Sequence, residues 1–270
     1  MTIPFNRNSI FFLFLLFCGL SPSLSAQDFD LQDTLRGSIT PERAWWDVTH
    51  YDLHIDVNIE NRTLAGHNTI SYKVLEAQQV MQIDLQEPMQ IDQVEQNGQQ
   101  VKFKRLGNVF YLKFKEEQKV GDIKQVKITY SGKPTRAVRP PWDGGLTWTT
   151  DDNANPFVAT SCQGDGASMW WPCKDHMYDE PDSMLMSITV PENLLDVSNG
   201  QLREVIEQEN GKKTFVWAVV NPINNYGVNI NIADYAHFSE VYEGEKGDLD
   251  VDYWVLSYNE EKAREQFEQV

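Results

Sequence analysis

The sequence predicts an all-β fold, an antiparallel double sheet or β-sandwich, and two observations carry that prediction. Apolar and polar residues alternate over short segments from Tyr51 to Tyr130 and again from Met184 to Val255. Turn residues separate these segments, with Asn97-Gly98 and Asn210-Gly211 the sharpest signals. Alternation with period two buries one face of a strand. Asn-Gly tolerates the positive φ of a type I′ hairpin turn.

The elements follow in order. Tyr51, Leu53, Ile55 and Val57 form the first apolar face, and the polar turn Glu60-Asn61-Arg62 leads to Ile70, Tyr72 and Val74. Met81, Ile83 and Leu85 repeat the pattern, then Phe110, Leu112 and Phe114, then Val126, Ile128 and Tyr130. Ser131 to Asp182 breaks it with Pro134, Pro140, Pro141, Pro156, Pro172 and Pro181. Alternation resumes at Met184, Met186, Ile188 and Val190, continues through Phe215, Trp217 and Val219, and then through Tyr226, Val228, Ile230 and Ile232. Leu249, Val251, Tyr253 and Val255 close the β-rich region, which spans 45–256. The preceding segment 27–44 is polar and reads as flexible. In 257–270, Ser257-x-x-Glu260 has the form of a capping box, and Ala263, Phe267 and Val270 mark one helical face. No cap or breaker stops this helix, so it reads as truncated, the start of a further domain.

The first residues are set apart from the fold. Arg7 is followed by an unbroken apolar run from Ile10 to Leu20 and by small residues to Ala26. That is the form of a secretory signal over 1–26, too short for a bilayer span of roughly 20 residues. The expectation is an exported protein, periplasmic or secreted, with no membrane span after cleavage. A net charge of −17 argues against nucleic acid or an anionic membrane as partner. Cys162 and Cys173 remain in the mature chain. Export permits a disulfide between them, and two buried reduced thiols are the alternative.

Familiar catalytic patterns are missing. No H-E-x-x-H or G-x-S-x-G occurs, and His50 and His54 fall on the polar face of a strand. Chemistry concentrates instead in the irregular run Cys162 to Asp175, C-Q-G-D-G-A-S-M-W-W-P-C-K-D. A rich loop between regular elements is more often functional than structural. Trp142, Trp148, Trp170 and Trp171 either form a stacking platform for sugars or pin this region to the sheets.

Thr160-x-x-Gln163, followed nine residues on by Pro172-Cys173-x-Asp175, resembles the N-terminal domain of the aminopeptidase N-type zinc metallopeptidases. Tyr51-Asp52-Leu53-x-Ile55-Asp56 resembles that family's opening strand, and Ile128-Thr129-Tyr130-Ser131-Gly132 its Y-x-G strand end. The resemblance implies a saddle-shaped β domain resting on a catalytic domain in the same chain. It implies that Gln163 accepts a hydrogen bond from a peptide's free α-amine, that Gly164 leaves room for the substrate backbone, and that Asp165 adds negative potential. The implied partners are therefore peptide N-termini. Zinc is implied only for the complete enzyme, because the family's H-E-x-x-H and G-x-M-E-N segments lie beyond Val270; this chain alone is expected to bind none. Ser168 and Met169 replace arginines common in the family, and Asp179-Glu180-Pro181 arrives four residues after Asp175. Side-pocket specificity is accordingly not carried over. A non-catalytic β-sandwich that binds a glycan or a protein is the alternative.

Overall fold

The computed structural model describes residues 29–268; the segment 1–26 read as a secretory signal, and Val270, lie outside them. Two short helices come first, α1 (Leu31–Gly37) and α2 (Pro41–Ala44). The strands β1 (Trp46–Asn58), β2 (Thr63–Val74), β3 (Gln78–Asp84), β4 (Gln90–Gln96) and β5 (Gln99–Gln100) follow. Next are β6 (Lys102–Leu106), β7 (Val109–Gln118), β8 (Ile123–Gly132), β9 (Gly145–Thr150) and β10 (Pro156–Ser161). The chain continues with β11 (Ser183–Pro191), β12 (Leu195–Ser198), β13 (Gln201–Gln208) and β14 (Lys212–Val219). It ends with β15 (Ile230–Ala233), β16 (Tyr235–Gly244), β17 (Gly247–Leu256) and helix α3 (Glu260–Phe267).

Eight strands form the main sheet in the order β13-β14-β11-β1-β2-β8-β4-β5. A four-stranded sheet, β12-β15-β10-β9, and a three-stranded one, β3-β7-β6, supply the rest of a shared core. The alternation in β1 is realised as read, with Tyr51, Leu53, Ile55 and Val57 buried. A bulge between Val48 and His50 shifts the period by one residue, so that Trp46 and Val48 also face inward. Asn97 and Gly98 both have positive φ (53° and 71°), as the β4–β5 turn requires.

The structure departs from the sequence reading at five places. The strand read from Tyr226 begins only at Ile230, because Asn225–Gly227 form a 3-10 turn that leaves Tyr226 exposed. The main sheet is not purely antiparallel: β11 pairs with β1 in parallel, because the long excursion after β8 returns the chain in the direction of β1. That excursion is not structureless, since it contains the hairpin β9–β10. The segment 27–44 is built in from Phe29 onward. Asp30 and Asp33 cap α1 reciprocally, Leu35 is buried, and Arg43 is wholly buried. The capping box at Ser257 does not form. Ser257 Oγ donates instead to Asp234 (2.7 Å), Ser257–Asn259 make a 3-10 turn, and Glu260 pairs with Arg264.

Strands β16 and β17 pair only with each other. Trp254 packs this hairpin against Trp217 at 6.0 Å, and Phe267 of α3 stacks on Tyr253 at 4.8 Å. Among the described residues no helix is long and apolar enough to cross a membrane.

One buried acid stands apart in the core. Asp196 on β12 accepts from Trp217 Nε1 (3.0 Å), while its second carboxyl oxygen has no partner. Burial pushes its pKa well above the usual carboxylate range. A carboxyl with a raised folded-state pKa takes up a proton on folding. Its contribution is complete below pH of about 4 and is lost as pH rises towards the folded value. Asp196→Asn is expected to remove that pH dependence and to exceed the parent in stability by about 1–3 kcal/mol at pH 8. Urea denaturation of both proteins from pH 4 to pH 8 checks this.

Candidate functional site

The irregular run after β10 is fixed from below. Asp84, at the end of β3, exchanges both backbone hydrogen bonds with Cys173 (2.9 and 3.2 Å). Its carboxylate accepts from Arg43 Nη2 (2.6 Å), Gln82 Nε2 (3.0 Å) and the Asp175 N–H (2.9 Å). Lys174 is a second buried rivet. Its ammonium bonds Asp179 and the Trp46 carbonyl and lies 4.3 Å from the Trp46 ring centre. Its N–H donates to Tyr51 Oη (3.1 Å), and its carbonyl accepts from Asn225 Nδ2 (2.7 Å). Burial raises the Asp84 pKa and lowers that of Lys174, and the opposite charges beside them, Arg43 and Asp179, work against both shifts.

These anchors explain the composition of the run. Trp170 and Trp171 are fully buried, with Trp171 edge-on to Tyr51 at 5.0 Å, and Trp148 is buried too. The tryptophans therefore do not form a sugar platform; among the four, Trp142 alone is exposed. Cys162 and Cys173 are free, buried thiols rather than a disulfide. Burial pushes Cys162 up to about 12 and Cys173 well above its usual value, so neither is a thiolate at neutral pH. Gly166 is required by both its φ of 84° and its neighbour, because a Cβ there would meet Asp175 Oδ2 at 2.2 Å.

Gln163 and Gly164 are the exposed crest of this anchored loop. They line a cleft of about 530 Å³ with Asp33, Arg36, Asp175, His176, Met177, Glu180 and Tyr226. Among the described residues, the hydrogen bonds that hold the loop do not draw on the Gln163 carboxamide. They run from Arg36 Nη2 to the Gly164 carbonyl (2.9 Å), from Gln86 Nε2 to the Asp165 carbonyl (2.6 Å), and from the Ser168 N–H to Asp175 (3.0 Å). Asp165 is placed differently. Its carboxylate turns away from the cleft lining to accept the Gly144 N–H at 2.9 Å. The structure thus brings Gln163 and Gly164 together at one wall and gives Asp165 a task in holding a neighbouring turn.

Asp33 and Arg36 reach the cleft from α1, a segment the sequence reading leaves loose. The signal that would have found them is Asp30-x-x-Asp33, the spacing of a reciprocal cap. Among the described residues no group of three or more His, Cys, Asp or Glu side chains is arranged to hold a metal ion. His54 stacks on His67 across β1 and β2 at 4.4 Å, and burial together with the nearby His54 and Lys127 charges lowers His67 to about 4. The donor set of the described residues does not fit a zinc ion.

A family model described as the peptidase M1 N-terminal domain matches residues 48–226. Solved structures with the same fold include a mutant M1 zinc metallopeptidase of Deinococcus radiodurans bound to a Tyr-Ser-Ala substrate. It is 19% identical with a TM-score of 0.67, and the match covers 78% of this chain and 48% of that one. The M1 zinc metallopeptidase of Deinococcus radiodurans without the mutation is 21% identical with a TM-score of 0.64, covering 77% and 46%. The chain spans about half the length of these structures.

The anchor at Asp84 has a measurable consequence. Arg43→Met leaves a buried carboxylate without its cation and is expected to cost about 3–5 kcal/mol. Losing Arg43 raises the Asp84 pKa further, so the deficit is smallest near pH 4 and grows towards neutrality. Urea midpoints for the two proteins at pH 4.5 and pH 7.5 test both statements.

Proposed function

The chain belongs to the peptidase M1 N-terminal domain family, and from that premise we propose that it is the peptide-binding part of an exported zinc aminopeptidase. In this reading Gln163 receives the free α-amine of a peptide. The observation that carries it is the exposed Gln163 carboxamide, which the hydrogen bonds holding the loop leave free. An amide oxygen accepts well from an ammonium group. Glu180, exposed on the same cleft, adds negative potential that favours a cation there. Gly164 has open space where a side chain would stand, which lets a peptide backbone come close.

Counting from a chain end requires such a fixed acceptor. A peptide lacking the free amine leaves the carboxamide without its donor, whereas a free N-terminus of any sequence satisfies it. The hydrolytic chemistry, with zinc as Lewis acid and source of the attacking water, belongs in this reading to a catalytic domain beyond the described residues. That domain is the chain's natural partner.

The decisive test compares a free-amine tripeptide with its N-acetylated form, read by NMR shifts of the backbone amides around the cleft in residues 27–270. The free peptide is expected to bind more tightly, and Gln163→Ala to weaken it roughly tenfold or more, as for a hydrogen bond to a charged group of about 1.5–3 kcal/mol. Equal binding of the two peptides would sink the proposal. Export is tested separately by N-terminal sequencing of the mature protein, with Ala26 or Gln27 the expected first residue.

A further inference from the structure

The crest that carries Gln163 has little of its own to fix it. Hydrogen bonds hold the loop on either side: the Gly166 N–H donates to the Cys162 carbonyl (2.7 Å), and Gln86 Nε2 to the Asp165 carbonyl (2.6 Å). Between them stands Gly164, the residue type with the freest backbone, with open space where a Cβ would stand. An acceptor beside a free glycine swings with it, whereas recognition needs the acceptor held to within about half an ångström. Among the described residues a single hydrogen bond reaches either Gln163 or Gly164, the one from Arg36 Nη2 to the Gly164 carbonyl (2.9 Å).

Arg36 is itself held as a brace must be. Asp30 and Asp33 cap its helix, Leu35 beside it is buried, and the Asn108 N–H donates to Gln32 Oε1 (2.8 Å). Gly107 makes room for that contact, since a Cβ there would meet Gln32 Oε1 at 2.2 Å. The Arg36 carbonyl accepts from Arg43 Nη1 (3.0 Å), and Arg43 Nη2 is bound in turn to Asp84 (2.6 Å). Asp84 therefore holds the loop twice, from below at Cys173 and Asp175 and, through Arg43 and Arg36, at the crest.

The partner is unusual for an exposed cation. Among the described residues the ion-paired arginines are Arg43, Arg105 and Arg264, and Arg36 is tied to a neutral carbonyl instead. A long exposed side chain loses rotamer freedom when it is held in one place. Its charge also works against the ligand, because a guanidinium and a peptide ammonium in one cleft repel. Its place is explained by what it holds, the backbone next to Gln163.

We propose that Arg36 is the positioning residue of the amine site: by fixing the Gly164 carbonyl it sets the orientation of the Gln163 carboxamide, and it acts on the peptide only through Gln163. The inference rests on the amine reading above and extends the site to α1. Repulsion makes the role testable by sign. If Arg36 acted through its charge, removing it would tighten the binding of a free amine. As a brace, its removal loosens that binding.

The test measures binding of a free-amine tripeptide and its N-acetylated form to residues 27–270, by NMR shifts of the backbone amides around the cleft. The variants are Arg36→Met, which keeps the aliphatic stem and loses the donors, Gln163→Ala, and the two combined. Arg36→Met is expected to weaken the free-amine peptide about three- to tenfold, the share of one hydrogen bond. It leaves the acetylated peptide and the melting curve unchanged, and nitrogen-15 relaxation reports greater motion of the Gly164 amide. In the Gln163→Ala background the same substitution has no further effect, because two residues that act as one are not additive. Tighter binding of the free amine in Arg36→Met assigns the residue to its charge and overturns the inference. A loss that persists in the Gln163→Ala background makes Arg36 a direct contact, and a loss equal for both peptides with a lowered melting temperature makes it a structural residue; each overturns the inference. Unchanged binding in Arg36→Met beside a loss in Gln163→Ala overturns it and leaves the amine reading standing. No loss in Gln163→Ala overturns both.

Discussion

The structure depends on the pairing of Asp84 with the segment around Cys173. A single acidic residue at the end of β3 holds the irregular loop by backbone and by carboxylate. Through Arg43 it also holds the N-terminal helices, because that guanidinium bonds the carbonyls of Arg36 and Ser38 as well as Asp84. Removing a charge from water is costly, and a buried ion pair adds little net stability over an apolar pair of the same shape. What the pair adds is position. A carboxylate with three donors in one direction each has a single satisfactory arrangement, and an apolar contact has many.

Lys174 makes the same argument from the other side of the loop. Its ammonium is shared between Asp179 and the Trp46 carbonyl, and its backbone is held by Tyr51 and Asn225. Residues 166–174 are thereby buried, while Gln163 and Gly164 stand clear of them. Rigid support beneath a free functional group is what recognition of a chain end demands, since the acceptor must not relax toward its own loop. Asp165 extends the support sideways to Gly144 and so couples the turn that carries Trp142 to the same base.

Much of this was legible as pattern. The alternation in β1, β2, β8, β11 and β14 identifies their buried faces residue by residue, and Asn97-Gly98 identifies its turn. Strands β9 and β10 were not legible, because within six residues each turns so few apolar side chains inward, Leu146 and Trp148 in one and Val158 in the other. The parallel pairing of β1 with β11 has no local signature at all; it follows from how a long connection returns. The capping box at Ser257 was a correct local motif overruled by a nearby carboxylate, Asp234, that only folding supplies.

By itself the sequence determined the all-β class, the inward faces of most of its longer strands and the loop that bears Gln163. These depend on period and on residue type, which are local properties of a chain. Tertiary structure alone decided which tryptophans are pins and which one is offered to solvent. It also decided that the two thiols are buried and unpaired, that Asp165 faces a turn and not the cleft, and that α1 contributes a wall. Each of these depends on a partner far along the chain, Arg43 with Asp84, Gly144 with Asp165, Lys174 with Tyr51, and burial is a property of the pair and not of either residue.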